Sequence, residues 1–504
     1  MIRMLILKVG IQKIRERPVS DMRRKLPGWP LIYCLTVLMA ISACTASKDP
    51  FDPPDFTPAE VPADWMTVDV KVQHIEVAAV ALEKVPARSI ALPEMQTLSL
   101  IKPLPDGGCL AVSQVPMDVK DPNGNTMACL RAIRFKADGA VDWDRSYGED
   151  PYTGYPVSLC ILSDGGFAVS LRVSRKESAS YDPVDRVCRF SADGAEIWRS
   201  EDDKTVPGGL EHLFATQDGA VLAAGMAASE NPDGSFNRNH IVLSRFEKDG
   251  RLSKHLILDA EGNAALMDAA YTNETGLVLA WWNETADQGS AVGVADQQVS
   301  QIGCFSENLN ARWISKMAVG ERLYKVSAMS GEEGVLASGT VSVPAGSASA
   351  AAFRSALFCC NEQGERTWTY SEEEGGTWIQ TAVRLSDGRF VGGWHRTAAE
   401  GGEASILVVL SNSGTPLMTL DPMPGIIQQL APTKDGGWTA ILRQTVGPIP
   451  QPPYISSLWT DSEAIVAHYD RDLRLVWRRT IDQYKHVLRM DLVVPTADDQ
   501  LLIG

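Results

Sequence analysis

No segment of this chain is apolar and long enough to cross a bilayer as a stable helix; the one candidate, Leu31 to Ala40, is too short. No Cys-x-x-Cys pair occurs, so a structural zinc site has no recognisable ligand set. There is no Gly-x-Ser-x-Gly elbow, no phosphate loop, and no Asp/Glu pair whose spacing singles it out. The histidines (74, 212, 240, 255, 395, 468 and 486) form no His-x-x-x-His pair and read as surface or edge-strand residues. Two acid-bearing turns, Asp121-Pro-Asn123-Gly-Asn125 and Asn231-Pro-Asp233-Gly234, complete no calcium loop. No metal and no cofactor is therefore expected. Basic residues are a minority, 47 against 63 acids, for a net charge of −16. Residues 1–43 carry eight bases and two acids, so the remainder is near −22. That balance argues against nucleic-acid binding, which needs a basic face, and against lying flat on an anionic membrane. Beyond Cys34 and Cys44 there are seven cysteines, an odd number mostly inside strand patterns, and they read as small buried hydrophobes.

What is present is a repeat. A short apolar hairpin punctuated by Asp-Gly recurs about every 56 residues. It reads Leu104-Pro-Asp106-Gly-Gly-Cys-Leu-Ala-Val112, then Leu162-Ser-Asp164-Gly-Gly-Phe-Ala-Val169, then Gln217-Asp218-Gly-Ala-Val-Leu222. Further copies are Ser386-Asp387-Gly-Arg-Phe-Val391 and Lys434-Asp435-Gly-Gly-Trp438, with weaker ones at Glu274, Glu333 and Asp498. A second hairpin alternates with it, as in Ile133-Arg-Phe-Lys-Ala-Asp138-Gly-Ala-Val-Asp-Trp143 and Cys188-Arg-Phe-Ser-Ala-Asp193-Gly-Ala-Glu-Ile-Trp198. Asp-Gly accepts positive φ and closes tight turns, so each unit predicts four antiparallel strands, the pattern of a β-propeller blade.

Eight hairpins of the first kind and seven of the second predict an all-β, eight-bladed propeller over residues 65–504. Val68-Asp-Val-Lys-Val72 and Ile75-Glu-Val-Ala-Ala-Val80 are expected to lend the last blade its outer strands, which leaves no open sheet edge. Seven blades with an extra N-terminal sheet is the alternative.

The N-terminus carries an address. Arg23-Arg-Lys25, the apolar Leu31 to Ala40 and then Ile41-Ser-Ala-Cys44 resemble the signal peptide and lipobox of bacterial lipoproteins. The resemblance implies removal of residues 1–43 and acylation of Cys44; either Met1 or Met22 serves as the start. Residues 45–64 hold five prolines and five acids and read as an extended tether. Thr45, not Asp, follows the cysteine, which by resemblance to lipoprotein sorting implies the outer membrane. The only membrane contact expected is through the acyl chains.

Trp143, Trp198, Trp313, Trp368 and Trp477 end the second hairpin at one repeat position, which predicts indoles packed between blades. Ser191-Ala-Asp-Gly-Ala-Glu-Ile-Trp198 resembles the tryptophan-docking repeat of quinoprotein-type (PQQ-type) propellers, although the turn is shorter than the family's full motif. The architecture is similar to the acylated propeller scaffold of the outer-membrane barrel-assembly machinery. The resemblance implies a non-enzymatic binding scaffold in the cell envelope, with an envelope protein or a glycan as partner. A propeller hydrolase, lyase or oxidoreductase is the alternative.

At one position of the first hairpin stand Ser113, Leu171, Gly225, Trp281, Gly339, Trp394 and Leu442, small alternating with large. The connections that follow (114–126, 172–185, 226–239, 283–295, 341–352, 443–462) are long, whereas the Asp-Gly turns are short. All the long connections must share one face, where function concentrates. Trp281, Trp282, Trp394, Tyr454 and Trp459 are therefore the expected ligand- or partner-binding residues; filling gaps between blades is the competing role for the indoles.

Overall fold

The computed structural model describes residues 98–120, 126–174, 183–200, 209–230, 236–258, 262–285, 298–329, 334–342, 353–372, 378–397, 403–433, 435–445, 462–484, 493–495 and 501–503. All of these fall in the compact unit Val72–Gly504. Every regular element among them is a β-strand. Cys44, the tether, the segments Val68–Val72 and Ile75–Val80, Tyr454 and Trp459 lie outside the described residues, as do the two acid-bearing turns.

The strands form consecutive four-stranded antiparallel sheets, each pairing in chain order from an innermost to an outermost strand. The innermost strands of blades 1 to 7 are Leu98–Pro103, the second part of Val141–Ile161 for blade 2, Gly209–Ala215, Gly262–Thr272, Glu321–Ala328, Trp378–Arg384 and Ile426–Pro432. The long strand Val141–Ile161 is both the outermost strand of blade 1 and the innermost of blade 2. Six buried apolar clusters occupy the six interfaces between these consecutive blades, so the core is distributed between neighbours rather than gathered in one place.

The blade count corrects the sequence expectation. The described residues form seven four-stranded sheets, not eight. After blade 7 there is one short hairpin, Val493–Pro495 with Leu501–Ile503, which lies against the innermost strand of blade 1. Two strands cannot make a blade, and the segments expected to supply the other two are outside the described residues. A second correction concerns connection length. The strands Cys109–Lys120, Val221–Glu230 and Phe236–Phe246 run well into stretches that the sequence marks as loop. Pairing partners that continue across both strands carry the hairpin onward.

Both Asp-Gly turns form as expected. The turn glycines have φ near +80°, and Asp106, Asp164 and Asp435 each accept the backbone N–H two residues on at 3.0 Å. In two second hairpins Leu309 and Leu473 take the positive-φ position. Trp143, Trp198, Trp313 and Trp368 of the second hairpins each dock on the next blade's equivalent turn. The indoles of Trp143, Trp198 and Trp368 donate to the carbonyls of Ala192, Lys248 and Asn412 at 3.0–3.1 Å. Their rings lie against Gly194, Gly250 and Gly414. All seven described cysteines are buried and none of them forms a disulfide, as their strand positions suggested.

Candidate functional site

Every innermost strand carries a β-bulge at the same register, between residues 98/100, 156/158, 210/212, 266/268, 323/325, 379/381 and 427/429. A bulge bends its strand and re-aims side chains. The residue after it is Leu100, Ser158, His212, Asp268, Lys325, Thr381 or Gln429, polar in six of seven blades. These lie toward the strand starts, on the face that bears the long connections, around the axial channel. The signal in the sequence was an apolar-x-polar-apolar element, such as Leu210-Glu-His-Leu213 or Leu323-Tyr-Lys-Val326, that the hairpin pattern overshadowed.

The bulge frees backbone N–H groups, and the preceding blade satisfies them on alternate interfaces. From blade 2 to 3, Leu213 N–H donates to Ser158 Oγ at 3.0 Å and Leu210 N–H donates to the Asp185 carboxylate. From blade 4 to 5, Val326 donates to Asp268 at 2.9 Å and Leu323 to Ser300 at 3.2 Å. From blade 6 to 7, Leu430 donates to Thr381 at 3.4 Å and Ile427 to Ser405 at 2.7 Å. The other interfaces are filled by bulk. Trp281 packs with Leu222, Ala224, Ile241 and Leu243 of blade 3, and Trp394 with Leu336, Leu357 and Cys359 of blade 5. Blades 3 and 5 need glycine here: a Cβ on Gly225 or Gly339 would meet a backbone oxygen of its own inner strand at 1.5 or 1.8 Å. The alternation of small and large residues is thus a two-blade period in how blades are joined.

Trp281 and Trp394, 3 % and 2 % exposed, are therefore core residues whose rings reach no surface. This corrects the expectation that placed them in a binding site; the gap-filling role describes them. Trp282 differs. It is half-buried and stands at the register of Arg172 in blade 2 and His395 in blade 6, at the loop-bearing end.

At that end of the blade 2–3 interface, Arg172 donates to Asp185 at 3.2 Å and to the Tyr155 hydroxyl at 3.4 Å, with Glu211 4.0 Å away. Burial raises the Asp185 carboxyl above the usual range, while Arg172 and the Leu210 N–H pull it down. Burial also raises Glu211. Deeper in the channel, burial lowers the His212 imidazole; Asp268 opposes that, and Lys102 and Lys325 reinforce it. Burial raises Asp268, opposed by the Val326 N–H, His212 and Lys325. Asp268, a bulge residue, and His212 thus come from neighbouring inner strands, and burial shifts each toward its neutral form. Among the described residues no group of three or more His, Cys, Asp or Glu is placed to hold a metal ion.

On the opposite face, blades 1 to 3 follow one plan. Arg134, Arg189 and Arg245 each reach back to the Asp of their own first turn (Asp106, Asp164, Asp218) at 2.5–2.6 Å. Each also donates to a turn carbonyl of the next blade: Ala192, Lys248 and Glu307 respectively. The same strand position is Cys304, Cys359, Val409 and His468 in blades 4 to 7, and His468 lies 3.3 Å from Asp435.

No family model matches this chain, and no curated protein is similar to it. Similar solved structures include a periplasmic gluconolactonase of Pseudomonas aeruginosa (12 % identity, 74 % of this chain and 96 % of that one, TM-score 0.38). A Synechocystis apocarotenoid oxygenase variant is 10 % identical over 77 % of this chain and 93 % of that one, with a TM-score of 0.36. Prolyl oligopeptidase B from Galerina marginata is 11 % identical over 81 % of this chain and 55 % of that one, with a TM-score of 0.43. At these scores none of them bears on what this chain does.

Proposed function

We propose that this protein is an acyl-anchored propeller of the bacterial envelope, held to the outer membrane through Cys44, and that it serves as a non-enzymatic scaffold. An envelope protein or a glycan docks on its loop-bearing face. The observation that carries this reading is the contrast between the two faces. One repeats Asp–Arg pairs in blades 1 to 3 and docked indoles in blades 1, 2, 4 and 5. The other uses seven equivalent bulges to present different side chains. At the same end of the blades stand Tyr155 (44 % exposed), Arg172, Glu211 and Trp282. Aromatic and arginine residues of this kind contribute most at interfaces, about 2 kcal/mol or more each. Tyr454 and Trp459 would extend the same surface.

The proposed ring has eight blades, the C-terminal hairpin being completed by Val68–Val72 and Ile75–Val80.

The test is a photo-crosslinking amino acid placed at Tyr155 or, on the other face, at Ser413, in cells expressing the full chain. A discrete adduct from position 155 and none from 413 is expected; equal labelling from both would remove the loop-face assignment. Cys44→Ala is expected to shift the protein out of the membrane fraction. A second reading, an enzyme, is favoured only by the buried His212–Asp268 pair, which could act as base and acid in a hydrolase or lyase. Turnover abolished by His212→Gln, with adducts at position 155 unchanged, would favour it.

A further inference from the structure

We infer that the loop-bearing end of the blade 2–3 interface is a socket for a basic side chain, so that the docking partner is a protein presenting a lysine or arginine to Glu211 and Tyr155. The inference rests on the assignment of docking to the loop-bearing face and names the chemistry that this part of the face selects.

Tyr155, Arg172 and Asp185 are register partners on the three inner strands of blade 2 and make one row across the sheet. The row meets blade 3, because Asp185 accepts the Leu210 N–H. Gly209 of blade 3 lets the two blades close: a Cβ there would collide with the Arg172 guanidinium. Glu211 completes the group from the blade 3 side. It is the residue that the blade 3 bulge inserts, and the only acid among the residues inserted by the seven described bulges. A bulge leaves its extra residue out of the ladder and re-aims its side chain. Here the side chain turns toward Arg172.

The charges in this group do not balance, since one guanidinium serves two carboxylates. Arg172 Nε donates to Asp185 at 3.2 Å and Nη1 to the Tyr155 hydroxyl at 3.4 Å. Asp185 is buried and holds the Leu210 N–H as well. Glu211 is left with Arg172 Nη2 at 4.0 Å, which is too far for a hydrogen bond, and among the described residues it accepts none. Its side chain is 30 % exposed and can be reached. Burial raises the Glu211 carboxyl, Arg172 opposes that and Asp185 reinforces it.

A lysine or arginine fits this arrangement. Its head supplies the charge-assisted hydrogen bonds that Glu211 lacks. Its stem and cation find the exposed ring of Tyr155 on the other side of the guanidinium. The net charge of −16 draws a basic partner toward the surface. A neutral glycan would leave the surplus negative charge uncompensated and an acidic one would be repelled, so the socket favours a protein.

The test places a benzophenone amino acid at position 155 in cells expressing the full chain and maps the adduct by mass spectrometry. A protein adduct is expected, with a lysine or arginine of the partner beside the crosslinked site. Glu211→Gln, which keeps the shape, is expected to lower the yield about tenfold, whereas Glu211→Asp, which keeps the charge, retains most of it. Replacing the mapped basic residue of the partner by Met is expected to lower the yield as Glu211→Gln does, and it carries the test should the Gln variant fail to fold. Glu211→Lys is expected to abolish the adduct, and a Glu at the partner's mapped position to restore it. No adduct at position 155 would remove the loop-face reading and the inference together. An adduct that is a glycan, or a protein adduct indifferent to Glu211→Gln in the folded chain and to the partner's Met, would overturn the inference alone.

Discussion

At the residue scale, one position shows how much a single side chain is asked to do. Gly414 has φ +77°, and a Cβ there would lie 2.4 Å from the Trp368 ring, which docks on it from the preceding blade. Gly388 has φ +90°, with no heavy atom nearer than 3.7 Å. Both substitutions to Ala carry the left-handed backbone penalty of about 1–2 kcal/mol. Only Gly414→Ala adds a steric cost of about 1–3 kcal/mol. Urea unfolding of the two variants is expected to differ by that second amount; equal losses would mean the indole does not dock. The pH dependence is also a residue-scale matter. Burial disfavours the charged form of His212; Asp268 opposes this and Lys102 and Lys325 reinforce it. The unfolded imidazole, pKa about 6.5, takes up a proton that the folded one resists, so stability falls as pH drops below that value. His255, also lowered by burial, adds to the same slope. His212→Gln is expected to flatten part of the loss between pH 7.5 and 5.5, measured by unfolding at both values.

At the scale of elements, the bulged inner strand is the unit that joins blades. Ser405, 0 % exposed, accepts from Ile427 N–H at 2.7 Å and donates to the Gly425 carbonyl at 2.8 Å. Ser405→Ala leaves both groups buried and unpaired, for an expected loss of about 1–3 kcal/mol. The exposed Ser413, in the second turn of the same blade, serves as control: Ser413→Ala is expected within about 0.5 kcal/mol of the parent chain. The element also explains why the hairpins were easy to read and the site was not. Asp-Gly turns and terminal tryptophans are local signals, set by backbone φ and by one docking contact each. Which of Trp281, Trp282 and Trp394 faces solvent depends on the register of each against Leu266, Ala265 and Ile379 across the sheet, and on the blade beyond.

At the scale of the whole molecule, closure is the open element of the architecture. The C-terminal hairpin already lies against the innermost strand of blade 1. Deleting residues 65–82 is expected to remove the outer half of the proposed eighth blade and lower the melting temperature of the entire propeller in one transition. An unchanged melting curve would leave seven blades as the complete ring. Because each core layer is shared by two blades, such a loss at one interface is expected to propagate to its neighbours.

By itself the sequence determined the fold class, the repeat, the turn chemistry and the burial of the cysteines, because each depends on residues near one another in the chain. The tertiary structure decided the rest. It put Trp281 and Trp394 in the core and left Trp282 half-exposed. It gathered Tyr155, Arg172, Asp185 and Glu211 at one interface. It also showed that blades join in pairs. These are relations between residues on different strands, many of them on different blades, created when successive repeats pack side by side. No local pattern encodes which side chains meet there, since the bulge that aims them is a property of paired strands and not of either strand alone.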